Sequence, residues 1–149
     1  MPMVFIEKRN IDNAGFFFGL LGFLFNCACI FGSYWGTYGG SPWTCSISEC
    51  GSLINSTRAF LIIGIIITFL SFFLDRVNKL RDIYGSKGKT HTIVAFLWIF
   101  SAICFIIALS CYTSAVTSNF KYGWSYALGW VGMVCQLIGA GLWLYWRTL

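Results

Sequence analysis

Residues 59–74 read AFLIIGIIITFLSFFL: sixteen positions without a charged side chain, interrupted only by Gly64, Thr68 and Ser71. A helix needs about 20 such residues to cross the hydrocarbon of a bilayer. The run is therefore expected to extend outward to about Asn55. Composition decides between a buried soluble core and a membrane span. The chain has 149 residues, 58% hydrophobic and only 10% charged, against about 25% charged in soluble domains. A soluble surface needs more charge, so the chain reads as an integral membrane protein. Three further apolar segments, 14–33, 92–112 and 124–146, flank the first one found. All four must be helical, because lipid offers the backbone no hydrogen-bond partner. Segment 14–33 could instead be a cleaved signal peptide, but its polar leader is long and no small-x-small site follows cleanly. The expectation is one four-span domain over 1–149, with spans at about 14–33, 55–74, 92–112 and 124–146.

Lysine and arginine set the orientation. The net charge is +5, but its carriers flank the spans rather than cluster as a nucleic-acid face. Lys8, Arg9, Arg76, Lys79, Arg81, Lys87, Lys89 and Arg147 fall on one side of a four-span weave. Only Arg58 and Lys121 fall on the other. Both termini and loop 75–91 are thus expected in the cytoplasm of a multi-pass plasma-membrane protein. Loops 34–54 and 113–123 are expected outside. An outside loop is disulfide-permissive, and Cys45 and Cys50 are the two cysteines outside the spans. Their four-residue separation suits a β-hairpin whose facing positions can be bridged. Zinc is the rival reading, yet two thiolates without further ligands do not close a tetrahedral site. Cys27, Cys29, Cys104, Cys111 and Cys135 lie within spans and read as small hydrophobes.

Small and polar residues repeat at alternating spacings of four and three. The first span has Gly15, Gly19, Gly22, Asn26, Cys29 and Ser33. The second has Gly64, Thr68, Ser71 and Asp75. The third has Ser101, Cys104, Ala108, Cys111 and Ala115, and the fourth Ser125, Gly129, Gly132, Gln136 and Gly139. Such seams let helices approach closely in lipid, and heptad spacing favours a left-handed bundle. Asn26 and Gln136 are the most polar residues at depth. At 1.5 Å per residue their levels agree within roughly 3 Å, so a hydrogen bond between the first and fourth spans is expected. A polar ion pathway is the functional alternative, but no charged residue accompanies them. Tyr34, Trp35, Phe120, Tyr122, Trp124 and Tyr126 read as an outer interfacial belt, and Trp143, Tyr145 and Trp146 as an inner one. His91, the one histidine, reads as a helix-boundary residue. No carboxylate pair, activated nucleophile, phosphate loop or metal-ligand set appears, so neither an enzyme nor a cofactor is expected.

With these residues in place, the chain resembles the claudin superfamily, and within it the branch of peripheral myelin proteins, epithelial membrane proteins and the lens fibre membrane intrinsic protein. Trp35, Trp43, Cys45 and Cys50 resemble the tryptophan and cysteine pattern of that family's first loop. Asn55-Ser56-Thr57-Arg58-Ala59-Phe60 is similar to the start of its second span. Ala108-Leu109-Ser110-Cys111-Tyr112-Thr113 is similar to the end of its third. Tyr122-Gly123-Trp124-Ser125-Tyr126-Ala127-Leu128-Gly129-Trp130 is similar to the start of its fourth. The resemblance implies a left-handed four-helix bundle under a small extracellular antiparallel β-sheet. That sheet would come from the first loop and be locked by the Cys45–Cys50 disulfide, with Trp35 and Trp43 wedging it onto the bundle. Ser41-Pro42-Trp43 stands where claudins carry Gly-Leu-Trp, and the loop is about half a claudin's length, so the sheet should be smaller.

The expected function is a non-enzymatic membrane protein of cell contacts or membrane organisation. The alternatives are an accessory subunit of a channel or receptor, and a lipid-organising or trafficking protein. Its partners would be lipid and proteins of the same or an apposed membrane, including further copies of itself. Asn55-Ser56-Thr57 is a candidate glycosylation sequon. The basic loop 75–91 serves orientation, with anionic lipid as an alternative use.

Overall fold

The computed structural model describes residues 2–36, 41–44, 51–81, 87–116 and 121–149. Four helices account for nearly all of them: α1 Pro2–Phe31, α2 Ser52–Arg81, α3 Lys87–Ala115 and α4 Trp124–Thr148. Each is long and apolar enough to cross a membrane. At 1.5 Å per residue, helices of 25 to 30 residues are about 38–45 Å long, against about 30 Å of hydrocarbon. The surplus turns carry the polar flanks. α1 begins far upstream of its apolar run, and α2 begins at Ser52, three residues before Asn55.

The helices pack around the ring in chain order, but unevenly. α1 lies chiefly on α4, α2 on α3, and α3 on α4, while α1 and α2 meet sparsely. The α1–α4 joint is the closest. A Cβ placed on Gly139 would lie 2.9 Å from the Gly15 carbonyl oxygen and 3.0 Å from the Gly19 nitrogen, so only a hydrogen fits there. Lipid supplies no hydrophobic drive between helices, and this joint instead gains its stability from dispersion contacts between backbones. Gly15, Gly19, Gly22, Asn26 and Cys29 are buried on α1; Ser125, Gly129, Gly132, Gln136 and Gly139 are buried on α4. On α2 the buried stripe is Thr57, Leu61, Gly64, Thr68, Ser71 and Asp75. Ser33 lies past the end of α1 and is exposed.

α3 differs from a single small-residue seam. Ser101, Cys104 and Ala108 are buried, but Cys111 is half-buried and Ala115 exposed. The stripe is instead broad and bulky, including Trp98, Phe105, Leu109 and Tyr112. α3 packs on both α2 and α4, and Phe105, Leu109 and Tyr112 share one core cluster with Leu61 of α2 and Met133 of α4. The outward faces carry Phe69, Phe73, Phe96, Phe100 and other large apolar side chains, which contact lipid.

Phe120 of the expected outer belt lies outside the described residues; among the described members, two depart from an interfacial position. Trp35 and Trp143 are fully buried, one in each half of the core. Among the described residues there is no strand, only an isolated antiparallel bridge between Gly36 and Tyr122. The expected first-loop sheet and the Cys45–Cys50 hairpin fall on residues 37–40 and 45–50, outside the described residues.

Candidate functional site

The end of the bundle that carries the α1–α2 and α3–α4 connections is held by side chains acting as helix caps. A helix leaves its last four carbonyls without partners, and near lipid an unmet carbonyl is costly. At the end of α1 the Ala28 carbonyl accepts from Gly32 N at 2.9 Å. Trp35 turns back and its indole N–H donates to the Cys29 carbonyl at 2.8 Å. The Trp43 indole N–H donates to the next one, Ile30, at 3.0 Å. Three successive orphan acceptors are thus met, two of them by tryptophans arriving from the same connection.

Trp35 is wedged among Tyr112 of α3 and Tyr126 of α4, at centroid separations of 4.7 and 6.1 Å. Its own carbonyl accepts from Gly123 N at 2.7 Å, and the Tyr34 carbonyl accepts from Ser125 N at 3.1 Å. The chain leaving α1 therefore caps the start of α4, whose Gly123 has no side chain to do so. Trp43 closes a turn begun by Ser41: its backbone N–H donates to Ser41 Oγ at 3.1 Å. Arg58, buried on α2, donates from Nε to the Pro42 carbonyl and lies 5.8 Å over the Trp43 ring. Trp43 remains 38% exposed, so it presents a face outward while its N–H is fixed. Asn55 sits in the first turn of α2, half-buried, with its Oδ1 accepting from Arg58 at 3.4 Å. The Thr57 hydroxyl is buried against the Ala108 carbonyl of α3 at 3.1 Å.

At mid-depth the four helices share one polar network. Asn26 Nδ2 donates to Gln136 Oε1 at 3.0 Å. Gln136 Nε2 donates to Thr68 Oγ1 at 2.7 Å. The Thr68 and Ser101 hydroxyls lie 2.7 Å apart, and Ser101 donates to the Gly64 carbonyl at 2.8 Å. A turn further along, the Trp98 indole N–H donates to Ser71 Oγ at 2.8 Å. Asn26 Oδ1 has no hydrogen-bond partner and instead faces the bare Cα of Gly132. No described charge enters this network, and its hydrogen bonds join all four helices. Thr68 and Ser101 carry seam spacing in the sequence, but nothing there says that they share a hydrogen bond.

The opposite end, with both termini, holds buried ionisable side chains. His91 of α3 is buried and stacks on Trp143 at 4.6 Å, which stacks in turn on Trp98 at 4.6 Å. His91 Nε2 lies 3.3 Å from Asp12 Oδ1 of α1. Asp75, buried on α2, pairs with Lys79 at 3.2 Å. His91 is therefore part of the packed interior, a role that its place beside a basic loop does not signal. Among the described residues no group of three His, Cys, Asp or Glu could hold a metal ion, and Cys27, Cys29, Cys104, Cys111 and Cys135 are free thiols.

Residues 25–143 match the PMP-22/EMP/MP20/Claudin family, a stretch that runs from within α1 to near the end of α4. The chain belongs to this family. Epithelial membrane protein 2 of Homo sapiens and of Pan troglodytes are each similar to it, 26% identical over 109 residues. That similarity covers 64% of this chain and 64% of each relative. Of the residues through which the sequence resembles the claudin superfamily, Trp35, Trp43 and Arg58 meet around the end of α1. Cys45 and Cys50 lie outside the described residues. The family match and the four apolar helices make the protein a multi-pass, claudin-like membrane protein.

Proposed function

We propose that this protein is a non-enzymatic organiser of membrane contact, and that the connection between α1 and α2 is its contact surface. The observation that supports this most is the clamp formed by Trp35, Trp43 and Arg58. A connection that served only as a tether would not require two indole N–H donors and a buried guanidinium to fix it against the helix end. A surface that must hold its shape for a partner does. In this reading both termini and the α2–α3 connection face the cytosol, and residues 37–50 face outward from the plasma membrane. The oxidising side then favours a Cys45–Cys50 disulfide. A small extracellular sheet would continue from the Gly36–Tyr122 pairing, over a left-handed bundle.

The test is surface labelling of Trp43→Ala and Cys45→Ser, with enrichment at contacts scored in mixed cultures of expressing and non-expressing cells. Trp43→Ala is expected to reach the surface in part and fail to gather at contacts. Cys45→Ser leaves Cys50 to mispair and is expected to be retained inside the cell. Undiminished enrichment of Trp43→Ala would remove the connection from the mechanism. Such a result would favour an accessory subunit that binds its partner through the helices.

A further inference from the structure

The joint between α1 and α2 is unlike the other three. It is sparse, and where the helices touch it is aromatic: Phe72 of α2 meets the edges of Phe16 and Phe23 of α1, each at 5.8 Å between centroids. All three rings are only half-buried. At the terminus-bearing end of this joint, Arg76 and Lys79 both stand over the Phe16 ring, 4.5 and 5.5 Å from its centroid. Arg76 follows the end of the apolar run 59–74 by two residues, which sets it at headgroup depth. It is exposed, and among the described residues no carboxylate lies within ion-pair distance of it. The nearby acids are engaged elsewhere, Asp75 on Lys79 and Asp12 on His91. A guanidinium lying on a ring is positioned but not neutralised, and its in-plane N–H fork still fits a phosphate.

We propose that the α1–α2 crevice binds one anionic phospholipid. Its phosphate is held by Arg76 with Lys79 beside it, and one acyl chain lies along Phe16, Phe23 and Phe72. The aromatic joint supplies the apolar length, and Arg76, which no described carboxylate pairs, supplies the charge that selects an anionic over a zwitterionic headgroup, with Lys79 already paired to Asp75. General attraction of the basic end would draw anionic lipid to every face. The crevice gives it one address.

The full-length protein in neutral detergent is given equal amounts of phosphatidylcholine, phosphatidylserine and a phosphatidylinositol phosphate, and the lipid that copurifies is measured by mass spectrometry. Anionic lipid is expected to be retained over phosphatidylcholine. Arg76→Gln is expected to reduce that retention about fivefold or more, Arg76→Lys to restore part of it, and Arg147→Gln to leave it unchanged. An anionic lipid with a photoreactive acyl chain is expected to label peptides of α1 and α2 around Phe16 and Phe72. Inorganic phosphate at equal concentration is expected not to compete. Equal retention of all three lipids, an equal loss in Arg76→Gln and Arg147→Gln, adducts spread evenly over the four helices, or competition by free phosphate would each overturn the site.

Discussion

Gln136 uses both ends of its amide, accepting from Asn26 of α1 and donating to Thr68 of α2. Replacing it with leucine strands a buried donor on Asn26, so Gln136→Leu is expected to destabilise the bundle by about 1 kcal/mol. That is the upper range for polar contacts between membrane helices, since the unfolded chain in lipid also finds partners. Removing Asn26 as well removes the stranded group. The double variant Asn26→Leu with Gln136→Leu is therefore expected to cost less than the two single costs added. Equilibrium unfolding in mixed detergent–lipid micelles measures this, and simple additivity would show that the pair is not coupled. Asn55 is argued at the same scale. Its side chain lies in a helical turn with Arg58, and the hydroxyl that completes the sequon is buried against α3. No change in gel mobility is expected on treatment with an N-glycosidase. A shift that Asn55→Gln abolishes would mean that the sequon is used before α2 docks.

Between helices, two glycines of α4 make a controlled comparison. Gly139 faces the backbone of α1, whereas a Cβ on Gly141 meets nothing within 4 Å. Alanine at either position gains about 0.5–1 kcal/mol of helix propensity. Gly141→Ala is therefore expected to raise the unfolding midpoint. Gly139→Ala is expected to lower it, because forcing α1 away from α4 costs about 1–3 kcal/mol. A rise in both variants would place the joint elsewhere. The end of α1 offers a second contrast. Trp35→Phe keeps an aromatic ring but loses the N–H to Cys29, and is expected to cost about 1 kcal/mol. Trp35→Ala also empties the wedge and is expected to cost about 3–5 kcal/mol. Equal losses would mean that the indole N–H does not matter as a cap. The four spans were legible in the sequence because uncharged runs of this length have few other uses. The residues that fill the joints were less so. Trp35 and Trp143 lie near span ends, where tryptophan ordinarily marks the interface, and only the partners brought in by other helices show that they are buried.

Across the whole molecule, the sequence carries depth better than neighbourhood. Counting along the helices sets Asn26 and Gln136 at one level, but no period says that α1 packs on α4 in preference to α2, or that α3 serves two joints. Charge is asymmetric at the same scale. The end bearing both termini carries eight of the ten basic residues, and at the other end Arg58 is buried against Pro42 and Asn55. Arg58 is thus committed to the clamp, and Lys121 is exposed at the same end. Each lysine or arginine near a short loop disfavours translocation of its flank, so the imbalance argues for both termini in the cytosol. An epitope tag on either terminus is expected to stain only permeabilised cells. Alkylation and peptide mapping of surface-exposed protein is expected to find Cys45 and Cys50 joined, because that orientation places them in an oxidising compartment. The two measurements are linked. Staining of intact cells would put the cysteines in a reducing compartment, and the contact role would lose its surface. Cytosolic termini with free Cys45 and Cys50 would keep the orientation and leave Trp35, Trp43 and Arg58 as the whole of what holds the connection in place.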